Sequence, residues 1–324
     1  MAVYTQVSEA ALAEFLRDYD LANPTQFQAI TAGVQNSNYL LATNETRYIL
    51  TLYEDKENGV NPDDLPFFLE LMQHLGQRDF PSPTPVPRND GALFGTLCNR
   101  PAALTSFLKG QSSKSPKPDH CQKVGEAMAT LHIKTQDFSL RRDNRHTLAD
   151  WMRMFEICRS GANDVVPNLE GEIETELHRL QTHWRQDLPQ GIIHADLFPD
   201  NVFFRERQLS GVIDFYFACT DAYAYDLAIA LNAWCFESDA TFNITKARAL
   251  MHGYQAVRPL MTTEIEALPI LAAGAAMRFL LTRLYDWQTQ EKDALVTLKN
   301  PRDYLRRLRF HKNVKSATDY GINV

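Results

Sequence analysis

Gly191-Ile-Ile-His194-Ala195-Asp196-Leu-Phe-Pro-Asp200-Asn201-Val-Phe-Phe-Arg205-Glu-Arg-Gln208-Leu-Ser-Gly-Val-Ile-Asp214-Phe215 is the run on which the reading of this chain turns. Val202 to Phe204 and Leu209 to Ile213 are short β-prone stretches separated by the charged Arg205-Glu206-Arg207-Gln208, a pattern that predicts a hairpin. Centred between Arg207 and Gln208, that hairpin sets Asn201 opposite Asp214. An amide oxygen and a carboxylate then converge at one edge. Hard oxygen donors of this kind suit Mg²⁺, which takes its remaining ligands from phosphate and water.

Asp196 precedes Asn201 by five residues, the interval of the kinase catalytic loop H-R-D-x-x-x-x-N, with His194-Ala195-Asp196 in place of H-R-D. The spacing turns Asp196 toward an acceptor hydroxyl. An isolated Asp or Asn in a turn is ordinarily a local cap. His194, Asp196, Asn201 and Asp214 at these intervals, flanked by apolar runs, are a different matter. Phosphoryl transfer asks a protein mainly for alignment and charge neutralisation, and one carboxylate for the hydroxyl proton plus one for the metal meets that need.

Upstream, Ser8 to Tyr19 carries apolar residues at helical spacing behind a Ser8 cap. Phe27 to Thr31, Tyr39 to Thr43 and Tyr48 to Tyr53 read as a three-stranded meander, followed by a helix over 65–75. Pro81-Ser-Pro-Thr-Pro-Val-Pro87 is extended connector, since proline neither continues a helix nor donates within a sheet. Ala92 to Thr96 and Ala102 to Phe107 complete an antiparallel sheet, and the polar stretch from Lys109 marks a boundary. Beyond it the pattern is helical over 120–135, 148–159, 172–185, 226–234, 245–254 and 264–287, broken by the β-like segment 191–217. The expected fold class is α+β and bilobal: an N-terminal lobe over 1–108 with an antiparallel sheet, and a larger, mainly helical C-terminal lobe over 109–324.

With 44% hydrophobic residues among 324, the chain can bury a proper core, and its net charge of −7 argues against nucleic acid or an anionic membrane as partner. A small diffusible ligand is the better fit. The N-terminus has no basic region followed by an apolar stretch, and the apolar segment Ala267 to Leu281 is shorter than a membrane span and contains Arg278. A cytoplasmic protein is expected. Cys98, Cys121, Cys158, Cys219 and Cys235 form no CxxC pair, so reduced, mostly buried thiols are expected. Nothing in the sequence sets the oligomeric state.

HADLFPDNVFF followed by GVIDFYFACTDAYAYDLA resembles the H-x-D-x-x-x-x-N…I-D-F signature of the aminoglycoside-phosphotransferase-like kinases, which have a protein-kinase-like fold. ITAGVQNSNYLLAT, YILTLYE, DLPFF, LNAWCFE and YLRRLRFH resemble the bacterial homoserine kinases within that superfamily, from the first residues to about Gly321. The resemblance implies transfer of phosphate from ATP to L-homoserine with Mg²⁺, giving ADP and O-phospho-L-homoserine, a step toward threonine. It implies Asp196 as base and Asn201 and Asp214 as metal ligands. Gly33 to Asn38, with the side chains of Asn36, Ser37 and Asn38, would cover the phosphates, and Leu104 to Leu108, with Ser106 and Phe107, would be the hinge that meets adenine. Other small alcohols, among them choline, a methylthio-sugar or an aminoglycoside, are the enzymatic alternatives. A nucleotide-binding module without activity is another, which the joint presence of Asp196, Asn201 and Asp214 opposes.

Protein kinases carry a phosphate-binding Lys on the third strand, paired with a helical Glu. Here YILTLYE has Thr51 at that place, leaving Lys56 as a candidate cation and Glu70 without its implied partner. A zwitterionic substrate also needs a planar donor fork for its carboxylate and an acceptor for its ammonium. Arg278 is the first choice for the fork and Arg283 the second, with Asp226 as a further substrate-site candidate. Arg278 shares a helical face with Leu271, Gly274, Leu281 and Tyr285, and its bland alternative is an ion pair with Asp226.

Overall fold

Ser8 caps the first helix, accepting from the Ala11 N–H at 3.2 Å, and α1 runs Glu9–Leu16. This computed structural model describes residues 4–30, 36–54, 60–289 and 298–322. The chain divides into two compact units: Met1–Gly110 with Phe138–Leu140 and Ser210–Tyr216, and Gln111–Asp137 with Arg141–Leu209 and Phe217–Val324.

In the first unit β1 (Gln26–Ala29), β2 (Ser37–Ala42) and β3 (Arg47–Leu52) form the expected antiparallel meander. Helix α2 (Leu65–Gly76) follows, then β4 (Gly95–Leu97) and β5 (Arg100–Ser106), giving the sheet order β1-β2-β3-β5-β4. The proline-rich connector is extended, as proline dictates, and lies along β5, with Val86 N–H donating to Leu104 O and Ser106 N–H to Thr84 O, each at 2.9 Å. Leu12 and Phe15 of α1 pack with Leu41, Leu50, Leu52 and Leu104 on one face of the sheet. Alternation along the strands sets that face.

The second unit begins with β6 (Gln111–Ser112), α3 (Pro118–Lys134), α4 (Leu148–Val165) and α5 (Leu169–His183). Strands β7 (Gln190–Ile193), β8 (Val202–Arg205), β9 (Gln208–Val212) and β10 (Cys219–Ala222) follow, β6 pairing with β8 and β10 with β7. Four helices complete the unit: α6 (Tyr223–Trp234), α7 (Ile244–Gln255), α8 (Thr262–Thr289) and α9 (Pro301–Asn313). Helix α9 and strand β10 were not apparent from sequence. In α9 the apolar stripe is only Tyr304, Leu305 and Leu308 among arginines, although Asn300 and Pro301 supply a proper start. Helix α8 is longer than the apolar run indicated and carries Pro269 in its interior. It is long and apolar enough to cross a bilayer, yet 78% of its apolar window is buried inside the protein, as in a core helix. Four of the five cysteines are buried, and none is in a disulfide.

Helices α3 and α7 meet through glycine. A Cβ on Gly125 would stand 2.0 Å from Leu250 O, and one on Gly253 2.0 Å from Gln122 O. Main-chain oxygens cannot rotate away. Gly125→Ala is therefore expected to cost about 1–3 kcal/mol, lowering the melting temperature by several degrees. An unchanged melt would mean that the helices separate without penalty.

Three histidines held below their ordinary range set a pH dependence. His311 lies between the Tyr320 hydroxyl at 2.8 Å and Asn232 Oδ1 at 3.2 Å, and burial, with the Arg307 charge nearby, holds it down to about 3. His146 is held down to about 3 by burial and then by Arg278, and burial also lowers His132. Each folded-state value lies below the unfolded one, so below about pH 6.5 the unfolded chain binds protons that the folded chain does not. Stability present above that pH is expected to be lost progressively as pH falls toward 3. Thermal melts at pH 7.5 and pH 5.5 check the sign, and equal or higher stability at the lower pH would contradict it.

Candidate active site

The loop after β7 is held from below. Asp226 on α6 is fully buried, and its carboxylate accepts from the His194 N–H at 3.0 Å and the Ala195 N–H at 2.9 Å. His132 on α3 adds its Nε2–H at 3.1 Å, while its Nδ1 accepts from the Tyr254 hydroxyl at 2.8 Å. Arg258 continues the chain, donating to Tyr254 Oη at 3.1 Å and to Glu264 at 2.9 Å. Burial raises the Asp226 carboxyl, but the hydrogen bonds from His132 and the His194 amide outweigh it and leave the net shift downward. Asp226 is an ionised anchor for the loop and has no oxygen to offer a substrate ammonium. The alternative reading of Arg278, an ion pair with Asp226, is not what forms: Arg278 donates to Ala195 O.

Above that anchor Ala195 takes a left-handed φ of 61°, costly for a residue with a Cβ. Its carbonyl accepts from Arg278 Nη1 at 2.9 Å, so the peptide is gripped from both ends. The bend delivers Asp196, half-buried, beside Asn201: Asn201 Nδ2 donates to the Asp196 carbonyl at 2.9 Å and to its Oδ2 at 3.1 Å. Leu197 is tied in turn by the Trp234 indole N–H at 2.7 Å. The structure thus brings Asp196 and Asn201 together. With Nδ2 committed to Asp196, Asn201 Oδ1 is the end left for a cation.

The hairpin differs from expectation in register. Its turn is the pair Glu206-Arg207, both left-handed with φ of 50° and 68°, a two-residue turn matched to strand twist. The centre lies one residue earlier than the sequence reading put it, so the register argument that set Asn201 opposite Asp214 does not hold. Asp214 itself follows β9 in the first unit with φ of 67°, flanked by Val212, whose N–H donates to Pro81 O at 2.7 Å, and by buried Phe215. Tyr216 Oη meets Tyr53 Oη at 3.0 Å, and burial pushes the Tyr216 phenol up to about 12.

The side chains expected to cradle phosphate make hydrogen bonds within the first unit. Asn36 Oδ1 accepts from the Glu54 N–H at 3.3 Å, Ser37 Oγ donates to Glu54 Oε1 at 2.5 Å, and Asn38 Oδ1 accepts from Thr51 Oγ1 at 2.8 Å. Gly33 and Lys56 lie outside the described residues. Thr51, where a lysine would stand in protein kinases, is buried, and Glu70 is exposed on α2. The buried acid here is instead Glu54, with Arg100 Nε at 3.5 Å. In the hinge segment the Ser106 N–H goes to Thr84 O and the Phe107 N–H to Arg47 O at 3.2 Å, and neither bond uses Leu108. Arg283 donates to Asn300 O at 3.1 Å and Asp303 at 3.2 Å over the Tyr304 ring, tying α8 to α9. Sequence reasoning missed His132 and Asp221, since a lone His on a helix and an Asp in an unrecognised strand give no signal. Among the described residues no cluster of three His, Cys, Asp or Glu could hold a metal.

A sheet-bearing unit, a helical unit and an aspartate presented on an anchored loop define a kinase-like phosphotransferase. The chain belongs to the phosphotransferase enzyme family, whose model matches residues 26–260. It is 54% identical over 321 residues to the homoserine kinase of Allorhizobium ampelinum, covering 99% of each chain. With the homoserine kinase of Brucella anthropi it shares 52% over 322 residues, covering 99% of this chain and 98% of that one. An aminoglycoside phosphotransferase structure from Alicyclobacillus acidocaldarius superposes with a TM-score of 0.69 at 15% identity, covering 98% of this chain and 96% of that one. The fold is the bilobal α+β protein-kinase-like fold.

Proposed function

We propose that this protein is a homoserine kinase, transferring the γ-phosphoryl group of ATP to the side-chain hydroxyl of L-homoserine. The carrying observation is Asp196 on a loop anchored by Asp226 and tied to Asn201, in a chain that is homoserine-kinase-like over its whole length. Asp196 takes the hydroxyl proton as the oxygen bonds to the γ-phosphorus and the bond to the β,γ-bridging oxygen breaks, releasing ADP. Asn201 orients Asp196 through its amide N–H and would hold Mg²⁺ through Oδ1, with Asp214 as the candidate for a second oxygen. Bound Mg²⁺ would draw charge from the phosphates. Residues 1–108 form the ATP-binding lobe, with Leu108 as the hinge contact to adenine, and residues 109–324 the catalytic and acceptor lobe. The burial of α8 supports a soluble, cytosolic enzyme.

ADP release measured with homoserine, serine, choline and kanamycin tests the assignment. Homoserine is expected to give the highest kcat/KM, and a preference for choline or kanamycin would overturn it. Asn201→Ala is expected to raise the Mg²⁺ concentration for half-maximal rate by about tenfold, the loss of one oxygen ligand. A magnesium titration with an unchanged midpoint would remove Asn201 from the metal site.

A further inference from the structure

Arg278 and Asp221 are opposite charges in one buried neighbourhood of the second unit that do not pair with each other. Arg278 is 3% exposed and lies against the Phe279 and Phe217 rings, at 4.8 and 5.6 Å. Its assigned acceptor is the neutral carbonyl of Ala195, and it forms no ion pair among the described residues. A guanidinium has five N–H donors, and one kept from water without a counter-anion is costly. Asp221, on β10 opposite Gly191 of β7, accepts from Asn144 Nδ2 and from the Ala222 N–H, both at 2.6 Å, with no ion-pair partner among the described residues. The two charges feel one another, since Arg278 acts on the Asp221 carboxyl against the upward push of burial. Beside Arg278 lies the Tyr225 hydroxyl, fully buried and without a hydrogen bond of normal geometry.

Had these groups served packing alone, direct pairing would have relieved both. Instead they are held apart by separate supports, Ala195 and Phe279 for one, Asn144 for the other. Asp221, Asn144, His146, Phe217 and Asp196 are only partly buried, so the cluster is not sealed from solvent. The Arg278 guanidinium grips the peptide that immediately precedes Asp196. In homoserine the carboxylate carbon and the ammonium nitrogen lie equally many bonds from the reacting oxygen, about 5 Å when extended. A hydroxyl at Asp196 thus brings the α-carboxylate within reach of the Arg278 fork.

We propose that Arg278 and Asp221 are the two poles of a subsite for an α-amino-acid zwitterion, Arg278 with Tyr225 taking the carboxylate and Asp221, oriented by Asn144, the ammonium. This rests on the reading of homoserine as acceptor and extends it to the residues that select it.

Three acceptors test the subsite: L-homoserine, homoserinol, which lacks the carboxylate, and 4-hydroxybutanoate, which lacks the ammonium. Wild type is expected to favour homoserine over each by at least about a hundredfold in kcat/KM. Arg278→Met should collapse the preference over homoserinol and keep that over 4-hydroxybutanoate, and Asp221→Asn should do the reverse. Folded variants that slow all three acceptors equally would overturn the proposal. Should Arg278→Met fail to melt cooperatively, the isosteric Asp221→Asn carries the test alone. L-2-Aminobutanoate, a zwitterion with no hydroxyl, separates the two readings through binding measured by calorimetry. Binding that Asp221→Asn weakens at least about tenfold upholds the subsite even if homoserine is not phosphorylated, in which case only the assigned acceptor is wrong. Homoserine turnover with no binding of this analogue, or binding indifferent to Asp221, overturns the subsite and leaves the kinase assignment standing.

Discussion

Asp196→Asn is expected to lower kcat by about 10²–10⁴-fold with little change in the melting curve, the usual effect of removing a general acid–base group. The substitution is isosteric, and the side chain is half-buried at a loop whose anchors are main-chain amides, so the fold has small reason to respond. An asparagine can keep its oxygen on Asn201 Nδ2 only by turning its NH₂ toward the acceptor, where it cannot take a proton. Coupled measurement of ADP release on the folded variant checks this. Because phosphoryl transfer with a loose transition state tolerates a weak base, a drop below about tenfold would assign Asp196 to orienting the hydroxyl instead.

The other large effect is expected at Asp226. Its two oxygens satisfy the His194 and Ala195 amides and the His132 imidazole, all in a fully buried place. Asp226→Asn leaves one oxygen for these donors and points an NH₂ at another N–H. The expected cost is about 3–5 kcal/mol of stability, the range for breaking a buried charged cluster by removing one partner. Turnover should fall too, because the left-handed Ala195 peptide that aims Asp196 loses its lower support. Urea unfolding and kcat on the same preparation are the measurements. A variant as stable and as active as wild type would show that the loop holds its shape without Asp226.

The elements predicted from periodicity were largely found: the meander, α2, the proline connector and the helices from α3 to α8 obey local rules that a single sequence carries. Their ends were less legible. The hairpin turn was displaced by one residue because the long polar side chains of Arg205-Glu206-Arg207-Gln208 look alike, and the choice fell to which two could take positive φ. Helix α9 was hidden by its arginines, which bind distant carbonyls such as Val165 O and Asn232 O.

What the sequence by itself determined is the phosphotransfer motif and the fold class, because both follow from spacing along one chain: Asp196 five residues before Asn201, apolar runs of strand or helix period around them. What only the tertiary structure decided is the use of each polar side chain. Asn36, Ser37 and Asn38 looked like phosphate ligands and are committed to Glu54 and Thr51, Arg283 looked like a substrate fork and braces α9, and Asp226 looked like its neighbour's ion-pair partner and carries the catalytic loop. The physical reason is that a hydrogen bond is made to whatever donor or acceptor folding brings within about 3 Å. His132 and Asp226 are 94 residues apart in the chain and 3.1 Å apart in the protein, and no local pattern encodes that meeting.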